Sequence, residues 1–140
     1  MNTKKSIIVT GHADFAKGFK NAIKILLGEI SQAHFIDLQD DFSSYKIELE
    51  NLIQELSANT DKVFIFTDLA NGSPFSVASN ISTDLPNVKV FGGSNLAMVL
   101  ETITQILYGI EKINTDEILL VGKESVTLFE ADRLSTILND

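Results

Sequence analysis

Between positions 63 and 66 the chain reads Val-Phe-Ile-Phe, with no polar residue among them. A strand with one face in water alternates apolar and polar residues. A strand that does not alternate must be covered on both faces, as in a parallel sheet between helical layers. Lys62 opens this run and Thr67-Asp68 closes it. Three further short segments suit the same sheet: Ile7–Val9, the weakly alternating Ala33–Leu38, and Val88–Phe91.

Between these runs the apolar period lengthens to that of a helix. Phe15, Phe19, Ala22, Ile23, Leu26 and Leu27 recur at steps of three and four, and Gly28 stands where a C-terminal glycine belongs. Tyr45, Leu49, Leu52, Ile53 and Leu56 mark a second helix, with Asp41 or Ser43 as its cap. A third is expected from Ser73 as N-cap and Pro74 at the first helical position, with Phe75, Ala78 and Ile81 inward. Leu96, Val99, Leu100, Ile103 and Leu107 form a fourth, ending near Gly109. Residues 115–125 read as a helix capped by Thr115, although Glu117–Gly122 would also suit a strand. A short strand is expected after it, at Val126–Phe129. The strand–helix alternation predicts an α/β fold: three layers, α/β/α, with a mainly parallel sheet of four strands and a short fifth near the C-terminus. No linker composition divides residues 1–140, so one domain is expected.

A net charge of −8 argues against nucleic acid as a partner, because binding it requires clustered Lys and Arg to release counterions. The chain has no cysteine, which excludes disulfides, thiolate metal sites and cysteine nucleophiles. The apolar stretch near the N-terminus is too short for a signal peptide or a membrane span, so a cytoplasmic protein without membrane insertion is expected. There is no P-loop, no G-x-G-x-x-G after the first strand and no G-x-S-x-G elbow.

In open parallel sheets, ligands collect beyond the carboxyl ends of the strands. Three loops fall at that edge: Gly11-His12, Asp68 followed by Asn71-Gly72-Ser73-Pro74, and Gly92-Gly93-Ser94-Asn95. Each leads into a helix N-terminus, whose free N–H groups favour anions. His12 could be a mere polar helix-start residue, and Asp68 and Ser73 could be ordinary turn and cap residues. Their joint placement favours chemistry. A neutral imidazole, with a reference pKa of about 6.5, is a nucleophile near neutral pH. A carboxylate on one ring nitrogen fixes the proton there and leaves the other lone pair free. That suits attack on phosphorus, with amides and a hydroxyl on the equatorial oxygens. His34, inside a strand, reads as structural. Two histidines so separated make a poor metal site, and no cofactor is expected.

These residues resemble the mannose-family EIIA proteins of the bacterial sugar phosphotransferase system (PTS). "IIVTGHADFAKGFKNAIKILLGE" (7–29) is similar to that family's strand, histidine loop and helix, with His12 in the active position. "FTDLANGSPFSVAS" (66–79) resembles its Asp followed by Gly-Gly-Ser-Pro, and "GGSNLAMVLE" (92–101) its Gly-x-Asn-x-x-Met-x-x-Glu stretch. Ala13 stands where the family usually has glycine after the histidine, Asn71 replaces the first glycine of the second motif, and Ala97 replaces a frequent proline. Asn71 tolerates positive φ, so that turn is expected to survive.

The resemblance implies a phosphocarrier. Phospho-HPr would donate to His12 Nε2, Asp68 would hold Nδ1–H, and Ser73 with Gly72 and Asn71 would bind the phosphate. A cognate EIIB, expected as a separate polypeptide, would take the group onward, and family members are typically homodimers. Three rivals remain: the phosphocarrier subunit of dihydroxyacetone kinase, a non-catalytic regulatory domain of the same fold, and a passive anion-binding module.

Overall fold

The computed structural model describes residues 4–132. Its elements run β1 (Lys5–His12), α1 (Phe15–Leu27), β2 (Ala33–Leu38), α2 (Phe42–Asn59), β3 (Lys62–Thr67), α3 (Ser73–Ile81), a 3-10 turn (Ser82–Asp84), β4 (Val88–Phe91), α4 (Leu96–Leu107) and α5 (Thr115–Glu124). The sheet has four strands in the order β2-β1-β3-β4, all parallel.

Each face of the sheet carries its own core. Ile7, Val9, Phe64, Phe66 and Phe91 pack with Ala16 and Ile23 of α1, Met98, Val99 and Ile103 of α4, and Ile118 of α5. Ile8, Ile36, Val63, Ile65 and Val88 pack with Tyr45, Leu49 and Ile53 of α2 and Val77 and Ala78 of α3. The helices thus form one layer on each face, and Val63–Phe66 is buried from both sides, as a run without alternation requires. Phe66 and Phe91 stack with centroids 4.9 Å apart, which ties β3 to the edge strand β4.

The strand order sets where the site lies. After β2 the chain crosses back over β1 to form β3, so successive connections leave β1 and β3 toward opposite faces. The gap between the carboxyl ends of these two strands is the switch point where such sheets hold ligands. In the β1–β3 register Thr10 lies opposite Thr67, so His12 and Asp68 emerge side by side just beyond the last paired residues.

Several local expectations differ from the structure. The N-cap of α3 is Gly72, and Ser73 is the first helical residue with no side-chain cap bond. Asn114, not Thr115, caps α5, accepting from the Asp116 and Glu117 amides. Its carboxamide oxygen reaches two amides of the first turn from the preceding position. Leu26 and Leu27 face outward, because α1 rests on Ala16 and Ile23 and its last turn buries neither leucine. Residues Val126–Phe129 form no strand, and Val126, Leu128 and Phe129 are exposed. An extended segment needs a neighbouring ladder to satisfy its backbone, and this segment pairs with no strand among the described residues.

Candidate functional site

His12 is the last residue of β1, and its ring is 45% exposed. The backbone N–H of His12 donates to Asp68 Oδ2 at 2.8 Å, and His12 Nδ1 lies 2.7 Å from the same oxygen. Asp68 Oδ1 accepts the Leu69 N–H at 2.8 Å. An ionised carboxylate only accepts, so Nδ1 carries the proton and the Nε2 lone pair is free. Burial pushes the Asp68 pKa up. The hydrogen bonds from His12 N–H, the His12 ring and Leu69 N–H outweigh it, helped by the ring's charge whenever it is protonated, and hold the carboxyl below the usual range.

Gly72 is needed here for space rather than for its backbone. Its φ of −86° is open to any residue, but a Cβ at this position would lie 3.1 Å from His12 Cε1 and 3.3 Å from Leu69 Cβ. The imidazole edge that carries Cε1 therefore rests against the start of α3. Nε2 is bonded to Cε1, so the free lone pair belongs to the same edge. The first turn of a helix leaves its N–H groups without intrahelical acceptors, and Pro74 has none to offer. Ser73, exposed and not engaged in capping, stands in that turn. An oxyanion on Nε2 would meet a helix N-terminus and a free hydroxyl.

The second loop is braced by the third. A Cβ on Gly92 would come within 2.6 Å of Ala70 Cα, so the two loops pack backbone to backbone. Ser94 N–H donates to Thr67 O. Asn95 caps α4 through Met98 N–H and donates to Gly122 O of α5 at 2.8 Å. The Gly92–Asn95 loop therefore supports the site without presenting a side chain to His12. Asn71 is exposed and borders, with Ser73, a groove of about 510 Å³ between α2 and α3 that also includes Phe42 and Lys46. Among the described non-glycine residues only Ala13 has positive φ, 55°, so the Asn71 turn does not use the conformation expected of it.

His34 is not brought to His12. It pairs with Ile8, four residues back along β1, which is about 13 Å down the strand. Burial lowers its pKa, partly offset by Glu55. Among the described residues no cluster of His, Cys, Asp or Glu could hold a metal ion.

Two features escaped the sequence reading. Thr10 Oγ1 and Tyr45 OH share a buried hydrogen bond of 2.6 Å on the face of β1 that ends at His12. Burial pushes the Tyr45 phenol up to about 12, the Thr10 bond opposes this, and the Asp68 and Asp37 charges add to it. Asp37, at the end of β2, accepts from the amides of α1. Its one legible signal was a lone carboxylate at the carboxyl end of a strand.

The family model EIIA-man, described as "PTS system fructose IIA component", matches residues 6–118. The chain belongs to this family. It is thereby a IIA component of the PTS, and the resemblance carried by the three motifs holds. The sorbose-specific EIIA component of Lacticaseibacillus casei is 31% identical to this IIA component over 97 residues, 68% of this chain and 69% of the relative. The structure of a PTS IIA protein associated with the fucose utilization operon of Streptococcus pneumoniae superposes with a TM-score of 0.82 at 26% identity, covering 95% of this chain and 97% of the other. A phosphotransferase system component EIIA from Streptococcus agalactiae shares the fold at 22% identity, with a TM-score of 0.78 and coverage of 89% and 97%. No helix among the described residues of this IIA component is long and apolar enough to cross a membrane.

Proposed function

We propose that this IIA component is a cytoplasmic phosphocarrier, one domain over residues 1–140, and that His12 accepts a phosphoryl group from phospho-HPr and passes it to a cognate EIIB during sugar uptake. The observation that carries this reading is the 2.7 Å contact between His12 Nδ1 and Asp68 Oδ2 beside an exposed ring. The Nε2 lone pair attacks phosphorus, and the phosphorus–nitrogen bond to the donor histidine breaks with its electron pair leaving on the donor. His12 keeps its Nδ1 proton and gains positive charge, which the Asp68 carboxylate stabilises. Ser73, Gly72 and Asn71 frame the phosphoryl oxygens at the start of α3. Transfer to EIIB reverses these steps on a new acceptor.

A homodimer belongs to the same reading. Leu107, Tyr108, Leu120, Val126, Leu128 and Phe129 are all exposed in the single chain, at the end of α4, on α5 and in the segment after it. Apolar area of this kind marks an interaction surface.

The test is incubation with phosphoenolpyruvate, Enzyme I and HPr. One acid-labile, base-stable phosphoryl group is expected on the wild type and none on His12→Ala. An unchanged mass for the wild type, or equal labelling of the variant, contradicts the reading.

A further inference from the structure

The residue that follows His12 is strained and the helix that follows it lacks its own cap. Ala13 holds a left-handed φ of 55°. Asp14, in the N-cap position of α1, makes no side-chain cap bond. What holds this loop comes from the end of β2. Asp37 Oδ1 accepts the Ala16 N–H at 2.8 Å, and Asp37 Oδ2 accepts the Lys17 N–H at 3.1 Å. Leu38 O accepts the Ala13 N–H at 3.0 Å, and Gln39 Nε2 donates to Ala13 O at 2.9 Å. The register puts Gly11 opposite Asp37 and His12 opposite Leu38, so this clamp lies directly beside the histidine.

We propose that Asp37 is a positioning residue for phosphoryl transfer: it caps α1 from the neighbouring strand, fixes the loop that carries His12, and keeps phosphoryl oxygens off the α1 amides. This rests on the reaction proposed above. The α1 N-terminus begins three residues after His12 and, like that of α3, offers first-turn amides to an anion. Two such termini near one histidine would compete for the phosphoryl group. Asp37 settles the competition by occupying the Ala16 and Lys17 amides and adding a negative charge that repels a dianion. The α3 terminus has no such carboxylate on its first-turn amides among the described contacts, and it lies against the Cε1 edge of the ring. Asp68 and Asp37 thus act on either side of β1, one on the imidazole and one on the helix behind it.

The test compares wild type with Asp37→Asn and Asp37→Ser, after thermal melts confirm folding. Asparagine matches aspartate in shape but turns one acceptor into a donor facing an amide. At saturating phospho-HPr the rate of His12 phosphorylation should fall at least fivefold in Asp37→Asn, with KM within twofold of wild type. In a separate titration with inorganic phosphate, followed by amide NMR shifts, wild type should respond at Ser73 and Phe75 and not at Ala16 and Lys17. In both variants Ala16 and Lys17 should respond. A role in stability alone would leave that pattern unchanged. Wild-type rates in both variants, a loss lying in KM, or a silent Ala16–Lys17 pair in both variants would overturn the proposal. If wild type itself takes no phosphoryl group the reaction reading fails instead, and the phosphate titration still decides whether Asp37 guards α1.

Discussion

Asp68 Oδ2 accepts two hydrogen bonds from one residue, the backbone N–H and the ring Nδ1–H of His12. The first pins β1 to the loop after β3. The second sets the tautomer. Because the backbone bond holds that oxygen beside His12, it stays in place for the ring, and the imidazole cannot swing away from Asp68 without giving up the Nδ1 bond. Replacing Asp68 by Asn removes the charge and the tautomer preference. The variant should fold and lose roughly 10–100-fold or more in phosphorylation rate, the lower range being the cost of removing the carboxylate behind a metal-bound histidine. Initial rates with phospho-HPr measure it, and a wild-type rate would show the carboxylate to be incidental.

The same carboxylate makes stability depend on acid. The folded-state pKa of Asp68 lies below its ordinary value of 3.8. Its contribution is therefore fully present above that value and is lost as pH falls through the lower, folded one. Asp37 works in the opposite sense. Burial raises its pKa from 3.8 against the pull of the Ala16 and Lys17 amides, so its contribution is greatest below 3.8 and declines as pH rises through the raised value. Urea unfolding from pH 7 to pH 3 should show a shallower acid loss for Asp68→Asn than for wild type, and a steeper one for Asp37→Asn. Identical slopes for all three would count against these assignments.

Gly72→Ala tests the fit against the ring. The backbone accepts alanine, but the new methyl would sit 3.1 Å from His12 Cε1, so the imidazole must shift by a few tenths of an ångström. Stability should change by less than about 1 kcal/mol, while phosphorylation should slow roughly tenfold through misplacement of Nε2. A thermal melt and a rate measurement on the same preparation separate the two.

Ser73→Ala distinguishes a helix cap from an anion ligand. Loss of a working N-cap costs about 1 kcal/mol. Ser73 makes no cap bond, so the melting temperature should hardly move, whereas transfer should slow several-fold. A large drop in stability with an unchanged rate would return Ser73 to the cap role.

Ala13→Gly should stabilise the protein. A left-handed alanine costs about 1–2 kcal/mol relative to glycine, and glycine's greater freedom in the unfolded chain returns about 0.4–1 kcal/mol. A net gain of about 0.8 kcal/mol would raise the melting temperature by roughly 2–3 °C.

Much of the architecture could be read from residues alone because it is local. The unbroken apolar run Val63–Phe66 required two covering layers, and both are present. The helices over 15–27 and 96–107 follow from their periodicity, and Gly28 and Asn95 close and open them as such residues do. Caps were less legible. Ser73 and Thr115 each have a neighbour one position earlier, Gly72 and Asn114, that takes the cap position, and which residue takes it depends on backbone geometry that composition does not encode. The strand expected at Val126–Phe129 failed because a strand is a property of two segments, and only one of them is in the pattern.

From its own letters this chain determined that a histidine, an aspartate and a Gly-Ser-Pro turn would stand beyond strand ends, since each comes within a few residues of the end of an apolar run. Only the tertiary structure decided that β1 and β3 are neighbours, that one oxygen of Asp68 grips His12 twice, and that Asp37 closes the helix behind it. The reason is that parallel strands pair through backbone groups that every residue shares, so strand order and register are settled by how two hydrophobic faces pack, not by any motif along the chain.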